Sequence, residues 1–416
     1  LLEPYIIALM PILIKAFSHG SDHVREAAKG AAQAIFSKIS AHGIKQVMLP
    51  ILNGLQVDTQ WKSRQEAVRL LGTMAHCAPR QLAQALPQIV PRLMVCCTDP
   101  HPKVKDAAKA AMADISGVVK NPEVAGLSGE LLAALGDPAK HTGKALDALL
   151  TCEFMHAIDA PSLGLLIPIL GRGLRDRVAE IKRRSCLITG NITHMVNDSK
   201  LLVPYLPQIL PGLRINVMDP IPDVRTHAAS CLSALAAGVG ERELGDTVPW
   251  LLETATGYVG AADQSGGDAR VVRDGADEGA VERSGAAQAI AELCKVLGAE
   301  RTNEILTALM PARRSKRAGA REGLLWLLSF LPLSIGEQYA TYIDETLPVV
   351  LDGLSDEVDN VREVAMRAGQ IVVNSLGLNH AQTLVPSLID GMFADKWRIR
   401  QSSLLLLGDL LLLVGE

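Results

Sequence analysis

Two runs of basic residues are the part of this sequence best suited to chemistry. One is MPARRSKRAGAREG (310–323), which gathers Arg313, Arg314, Lys316, Arg317 and Arg321. The other is RGLRDRVAEIKRR (172–184), with Arg172, Arg175, Arg177, Lys182, Arg183 and Arg184. Guanidinium and ammonium groups bind phosphate, and amides at a helix start add partial positive charge nearby. A solvated face is the alternative for either run, and Asp176 and Glu180 dilute the second. No aromatic residue interleaves with either, so RNA would be held by its backbone rather than by stacked bases. RRSKR also matches a nuclear-localisation pattern, a weak signal on its own.

Other chemistries lack their residues. GDPAKHTGK (136–144) has the outline of a phosphate-binding loop, but Pro138 stands where the first glycine belongs and Ala145 where the hydroxyl belongs. LSGE (127–130) is an incomplete match to the ABC-transporter signature. His19 and His23 have a helical spacing without a carboxylate set around them, and His76 beside Cys77 is an isolated pair, so no metal is expected. No Gly-x-Ser-x-Gly occurs, and the cysteines lie among apolar neighbours that raise thiol pKa values. Neither a catalytic residue nor a cofactor is expected, and the chain does not read as an enzyme.

Composition sets what must position the basic runs. The chain has 416 residues, 48% of them apolar and only 3% aromatic. Alanine and leucine dominate, which favours helices over strands. A net charge of −4 gives no bulk affinity for a polyanion, so any nucleic-acid contact must be a local patch. Seven cysteines without a Cys-x-x-Cys pair suggest free buried thiols in a reducing compartment, and hence a cytoplasmic chain. The sequon Asn191-Ile192-Thr193 then has no role. There is no signal peptide and no apolar run of about 18 residues, so no membrane partner is expected. The chain opens without methionine inside an apparent helix, which suggests a fragment of something longer. Uncapped apolar ends would then favour self-association.

A repeat organises the whole. VMDPIPDVRTHAASCLSAL (217–235) has counterparts at 18–35, 96–112, 354–372 and 393–410. Aligned on the basic residue that opens each second helix, the series is Arg25, Arg64, Lys105, Lys144, Arg183, Arg225, Arg283, Arg321, Arg362 and Arg400. Successive gaps are 39, 41, 39, 39, 42, 58, 38, 41 and 38 residues, close to the roughly 40–47 of HEAT-type helix pairs. The fold class is therefore all-α, a HEAT-repeat α-solenoid of about ten antiparallel helix pairs forming one array over 1–416. First helices carry prolines near their starts, and Asp58, Asp99, Asp176, Asp219 and Asp356 sit in the turns, placed to accept from unpaired amides. One pair cannot bury its apolar face alone, so pairs must stack. Arg25, Lys105, Asp219, Arg225, Arg362 and Arg400 are expected to tie turns and neighbouring pairs together. The long gap contains GAADQSGGDARVVRDGADEGA (260–280), which reads as a flexible loop inside the seventh pair. The fourth pair, about 121–153, is degenerate.

Three stretches carry a family resemblance: LLVPYLPQILPGLRINVMDPIPDVRTHAASCLSALAAGVGE (201–241), REGLLWLLSFLPLSIGEQYATYIDETLPVVLDGLSDEVDNVREVAMRAGQ (321–370) and LVPSLIDGMFADKWRIRQSSLLLLGDLL (384–411). Together they resemble the elongation-factor-three-like HEAT segment of the general control non-derepressible translational activators. The resemblance implies a very long solenoid lying along translating ribosomes, especially stalled or collided ones. It further implies activation of the initiation-factor-two kinase, ribosome docking through this segment, and an ABC-type ATPase as partner. In that family the kinase-binding region lies further toward the C-terminus. Elongation factor three is the rival, with two ATPase cassettes that leave no trace here. A generic HEAT adaptor or transport protein is the third reading.

Overall fold

The computed structural model describes residues 3–56, 59–257 and 279–415. Every regular element among them is a helix. Two compact units divide the chain: Leu1–Arg177 with Asn191–Ile209, and Val178–Gly190 with Leu210–Glu416.

In the first unit, consecutive helices form pairs: Glu3–Ala16 with Asp22–Lys38, Ala41–Asn53 with Trp61–Cys77, and Pro79–Cys97 with Pro102–Ser116. Helical spacing decides what is buried. Ala67, Val68, Leu71, Met74 and Ala75 line the inner face of Trp61–Cys77, and Val104, Ala108, Ala111 and Ile115 that of Pro102–Ser116. Proline opens both helices of the third pair, where its missing N–H would be unpaired in any case. Other prolines lie deeper than the sequence suggested. Pro50, Pro87, Pro91 and Pro168 are inside their helices, where each lacks the N–H that would join the hydrogen-bond ladder.

The fourth pair departs from the others. Its first helix is cut at Leu127 into Pro122–Gly126 and Ser128–Gly136, followed by Pro138–Thr151. Asn121 staples this region, accepting from the Val124 amide at 2.8 Å and donating to the carbonyls of His156 and Ala157 at 3.3 and 3.1 Å. With that helix shortened, the next first helix, Ala160–Gly173, reaches Pro79–Cys97 directly. A Cβ at Gly164 would lie 2.7 Å from a methyl of Leu86, so the approach needs glycine. Gln208 adds a bond from its amide to the Pro87 carbonyl at 3.3 Å.

The second unit continues the pattern with Pro222–Val239, Thr247–Thr256, Ala280–Leu309, Ala318–Ile335, Ile343–Gly353, Asp359–Met392 and Trp397–Gly415. Two of these are double. Gly298, at φ 84°, breaks Ala280–Leu309 into the end of one pair and the start of the next, and His380 breaks Asp359–Met392 in the same way. Four pairs lie within the first unit, and within the second four more run from Thr247–Thr256 to Trp397–Gly415. Most of the expected 260–280 loop lies outside the described residues; Gly279 and Ala280 begin the helix that follows it.

The joints between pairs have a common geometry. Arg25, Arg225, Arg362 and Arg400 each point Nη1 at two carbonyls of the turn before their own helix. For Arg225 these are Asp219 and Pro220, at 2.8 and 3.0 Å. For Arg25 they are His19 and Gly20, for Arg362 Asp356 and Glu357, and for Arg400 Ala394 and Asp395, all at 2.6–3.0 Å. The turn aspartates face both ways. Asp99, Asp219 and Asp356 accept from the amides of His101, Ile221 and Val358 at 2.8, 2.9 and 3.0 Å. They also accept from the preceding pair: Asp99 from Arg64 at 3.0 Å, Asp219 from Lys182 at 2.7 Å, Asp356 from Arg321 at 2.6 Å. Lys105 has no such acid in register ahead: the fourth pair presents Pro138 at the position that carries Asp99, Asp176, Asp219 and Asp356 in the third, fifth, sixth and ninth pairs.

Burial alone would raise the Asp356 carboxyl, but hydrogen bonds from Arg321 and the Val358 amide outweigh it and hold the pKa below the usual carboxylate value. A carboxylate depressed in the folded state stabilises the fold fully above its unfolded pKa, roughly 3.9 for aspartate. That contribution is lost as pH falls through the folded value. Denaturant titrations at stepped pH should show Asp356→Asn less stable than wild type at neutral pH. The difference should shrink as pH drops below about 4. A gap that stays constant down to the acid limb would contradict the ion pair's role.

Candidate nucleic-acid interface

The turn at 310–317 carries exposed positive charge. Leu309 ends a helix, Met310–Arg314 winds into a short 3-10 turn with Pro311 in its first turn, and Ala318–Ile335 follows. Arg313, Arg314, Lys316 and Arg317 all face solvent there. Arg317 also donates to the Gly257 carbonyl at 3.1 Å, which fixes its stem. The side chains of Arg313, Arg314 and Lys316 form no ion pair or hydrogen bond among the described residues and remain open to an anion.

Arg321 is placed differently from the phosphate contact its sequence neighbours suggest. Its guanidinium binds Asp356 through Nε and Nη2 at 2.6 and 2.8 Å and the Ser315 carbonyl through Nη1 at 2.7 Å. It is a joint residue. Lys182 is likewise tied to Asp219, with both side chains largely buried. The repeat register placed Arg183 at the joint, and the structure puts Lys182 there instead. The spacing is set by the turn: Lys182 follows Asp176 by the same six residues that separate Arg225 from Asp219. Arg183 and Arg184 converge on Glu180, at 2.6 Å each. Those two guanidinium groups lower the Glu180 carboxyl to about 2. The two guanidinium groups share this one carboxylate, so their charge is partly compensated locally.

The remaining three arginines of that run belong to the first unit. Arg172, Arg175 and Arg177 are exposed, and Arg175 spends its Nη atoms on the carbonyls of Gly171 and Gln208, at 3.0 and 2.8 Å. They border a cleft of about 1100 Å³ floored by the first helices of neighbouring pairs.

Elsewhere the chemistry is quiet. No group of three His, Cys, Asp or Glu residues among those described could hold a metal. Burial raises Cys96 and Cys294 to about 11 and Cys186 to about 12. Cys77 differs from the expected buried thiols: it ends its helix and is exposed. No helix among the described residues is long and apolar enough to cross a membrane. One exposed pair is not signalled by the repeat pattern. Phe393 and Trp397 are 80% and 58% exposed, and the Arg398 guanidinium lies 5.1 Å from the Trp397 ring. The signal is present in FADKWRIR, where Trp397 is set between Lys396 and Arg398.

The profile described as "EF3 N-terminal HEAT repeat" matches residues 1–112 and 283–413, and "Elongation factor 3/GNC1 HEAT repeat" matches 141–246. The chain belongs to the elongation factor 3 type of HEAT-repeat family. It is 40% identical over 414 residues to the stalled ribosome sensor GCN1 of Homo sapiens, covering 99% of this chain and 15% of that protein. The eIF-2-alpha kinase activator GCN1 of Saccharomyces cerevisiae is 37% identical over 409 residues, covering 98% of this chain and 14% of its own length. Elongation factor 3 of Gonapodya prolifera aligns over 222 residues at 28% identity, 53% of this chain and 20% of that protein. The segment thus spans about one seventh of the GCN1 relatives, whose names denote sensing and activation rather than catalysis. Identity along the whole chain sets it with them and apart from elongation factor 3, which aligns over about half.

Proposed function

We propose that this chain is a ribosome-docking segment of a scaffold that activates the initiation-factor-two kinase in the cytoplasm. The observation that carries the reading is the turn at 310–317, where three basic side chains have no partner among the described residues, in a chain of net charge −4. A local cationic point on a chain of net negative charge suits rRNA phosphates. An ABC-type ATPase partner would use other solenoid surfaces, and contact with the kinase would lie outside this segment.

The test is co-sedimentation of the chain with purified ribosomes over a salt series. The triple variant Arg313→Glu/Arg314→Glu/Lys316→Glu should bind more weakly, and the slope of log affinity against log salt should drop by about 0.7–0.9 for each phosphate no longer engaged. An unchanged slope would remove this turn from the interface. The elongation factor 3 reading would be favoured if the sequence downstream carried two phosphate-binding loops.

A further inference from the structure

The degenerate fourth pair leaves a feature that a regular repeat would fill. Its shortened first helix opens the cleft in the first unit, between Pro79–Cys97, the start of Pro138–Thr151 and the end of Ala160–Gly173. From Pro79–Cys97 come Pro91, Met94 and Val95, residues of one helical face, and Val95 is 56% exposed. Pro138, Pro168 and Pro207 supply more rigid apolar wall. Arg172, Arg175 and Arg177 stand along one border. Among the described residues, the Arg172 and Arg177 side chains have no hydrogen bond or ion pair, and the hydrogen bonds of Arg175 go to backbone carbonyls; Asp137 and Asp176 also line the cleft, so its three cations outnumber its two anions by one.

At about 1100 Å³ the cleft exceeds the roughly 300–1,000 Å³ typical of small-molecule sites. We propose that it docks a short linear peptide of a partner protein, with acidic residues at the arginine border and an aliphatic side chain on the Met94–Val95 wall. Charge complementarity fixes the sign of the ligand, and guanidinium forks favour carboxylates held in pairs. The apolar wall distinguishes peptide from RNA. The lining combines aliphatic residues and prolines with threonines, two aspartates and the arginines, and has no aromatic ring on which an unpaired base could stack. Proline walls also hold their shape, so little ordering entropy opposes binding.

Random peptides displayed on phage would be selected on the intact chain. Winning sequences would then be measured as synthetic peptides by fluorescence anisotropy, beside a short single-stranded oligo(U) RNA. Enrichment should favour Asp or Glu next to Leu, Ile or Val. Binding should weaken by about tenfold or more in Arg172→Glu/Arg177→Glu, as expected when charge-assisted hydrogen bonds are removed. Val95→Asp, at an exposed position, should weaken it through the apolar wall, and Arg313→Glu should leave it unchanged. The milder Arg172→Gln/Arg177→Gln pair serves if the reversal perturbs folding. Absence of any enriched peptide, or binding indifferent to both cleft variants, overturns the proposal. So does RNA binding that the cleft variants abolish while no peptide is selected. Ribosomes take no part in the assay, so its outcome is independent of the docking reading.

Discussion

Replacing Glu322 with alanine will cost the second unit about 3–5 kcal/mol, the penalty for stranding one member of a buried ion pair. The Glu322 side chain is 5% exposed and the Arg283 side chain 10%. Arg283 donates to the Glu322 Oε2 through Nε at 3.0 Å and Nη2 at 2.5 Å, while the Trp326 indole donates to Oε1 at 3.2 Å. Removing the carboxylate takes away the acceptor that the buried guanidinium and the indole N–H share. Arginine cannot shed its proton to escape the cost. Because solenoid stability is local plus nearest-neighbour, the loss should fall on the seventh and eighth pairs first. Hydrogen exchange of helix Ala318–Ile335 should accelerate well before the first unit responds. The double variant Arg283→Met/Glu322→Leu is expected to recover most of the stability, since a packed apolar pair replaces a buried ionic one at little net cost. A single substitution costing under about 1 kcal/mol would mean that water reaches the pair.

This pair also shows what the sequence could and could not disclose. Period and composition were sufficient for the helix pairs, because alanine and leucine at helical spacing have few other ways to be buried. The joints were harder. Alignment by basic residue placed Arg183 in the series, where the structure uses Lys182. A run of three basic residues offers three registers, and only the distance from the turn aspartate chooses among them. For the same reason Arg321 and Lys182 looked like surface charge. A helix period says which face a side chain is on, but the acid that meets it lies on the next pair, 35 residues away for Arg321 and Asp356. Where Ser315 occupies the usual aspartate position, Arg283 reaches a glutamate inside the following helix, a substitution no local pattern announces. The basic turn was legible because none of the described residues claims Arg313, Arg314 or Lys316.

Alanine in place of glycine should have opposite effects at two kinds of helical position. At Gly323 an added Cβ would collide with the Ala255 carbonyl oxygen, and its carbon would lie only 2.7 Å away. At Gly285 the same happens with the Val217 carbonyl, whose carbon would lie 3.0 Å away. Both oxygens belong to the last turn of a preceding helix, Thr247–Thr256 or Leu206–Val217, where carbonyls run out of intrahelical amides. The helix end therefore sits on a bare Cα, and two residues earlier in each case is a joint arginine, Arg321 or Arg283. The obstacle to a methyl group is backbone, which cannot rotate aside as a side chain can. Gly323→Ala and Gly285→Ala should each cost about 1–3 kcal/mol or more by overpacking, and together should separate the affected pairs. In the first unit, Ser63 meets the corresponding helix end differently, its hydroxyl donating to the Ile14 carbonyl at 2.9 Å. Gly30 is the contrasting case: it lies inside Asp22–Lys38, exposed, with nothing within 4 Å of where an added methyl would sit. There alanine has only its propensity advantage, so Gly30→Ala should stabilise by roughly 0.5–1 kcal/mol. Urea denaturation of the three variants side by side decides the matter. Equal small effects at all three positions would show that the close approach at Gly285 and Gly323 relaxes freely and does not hold the pairs in register.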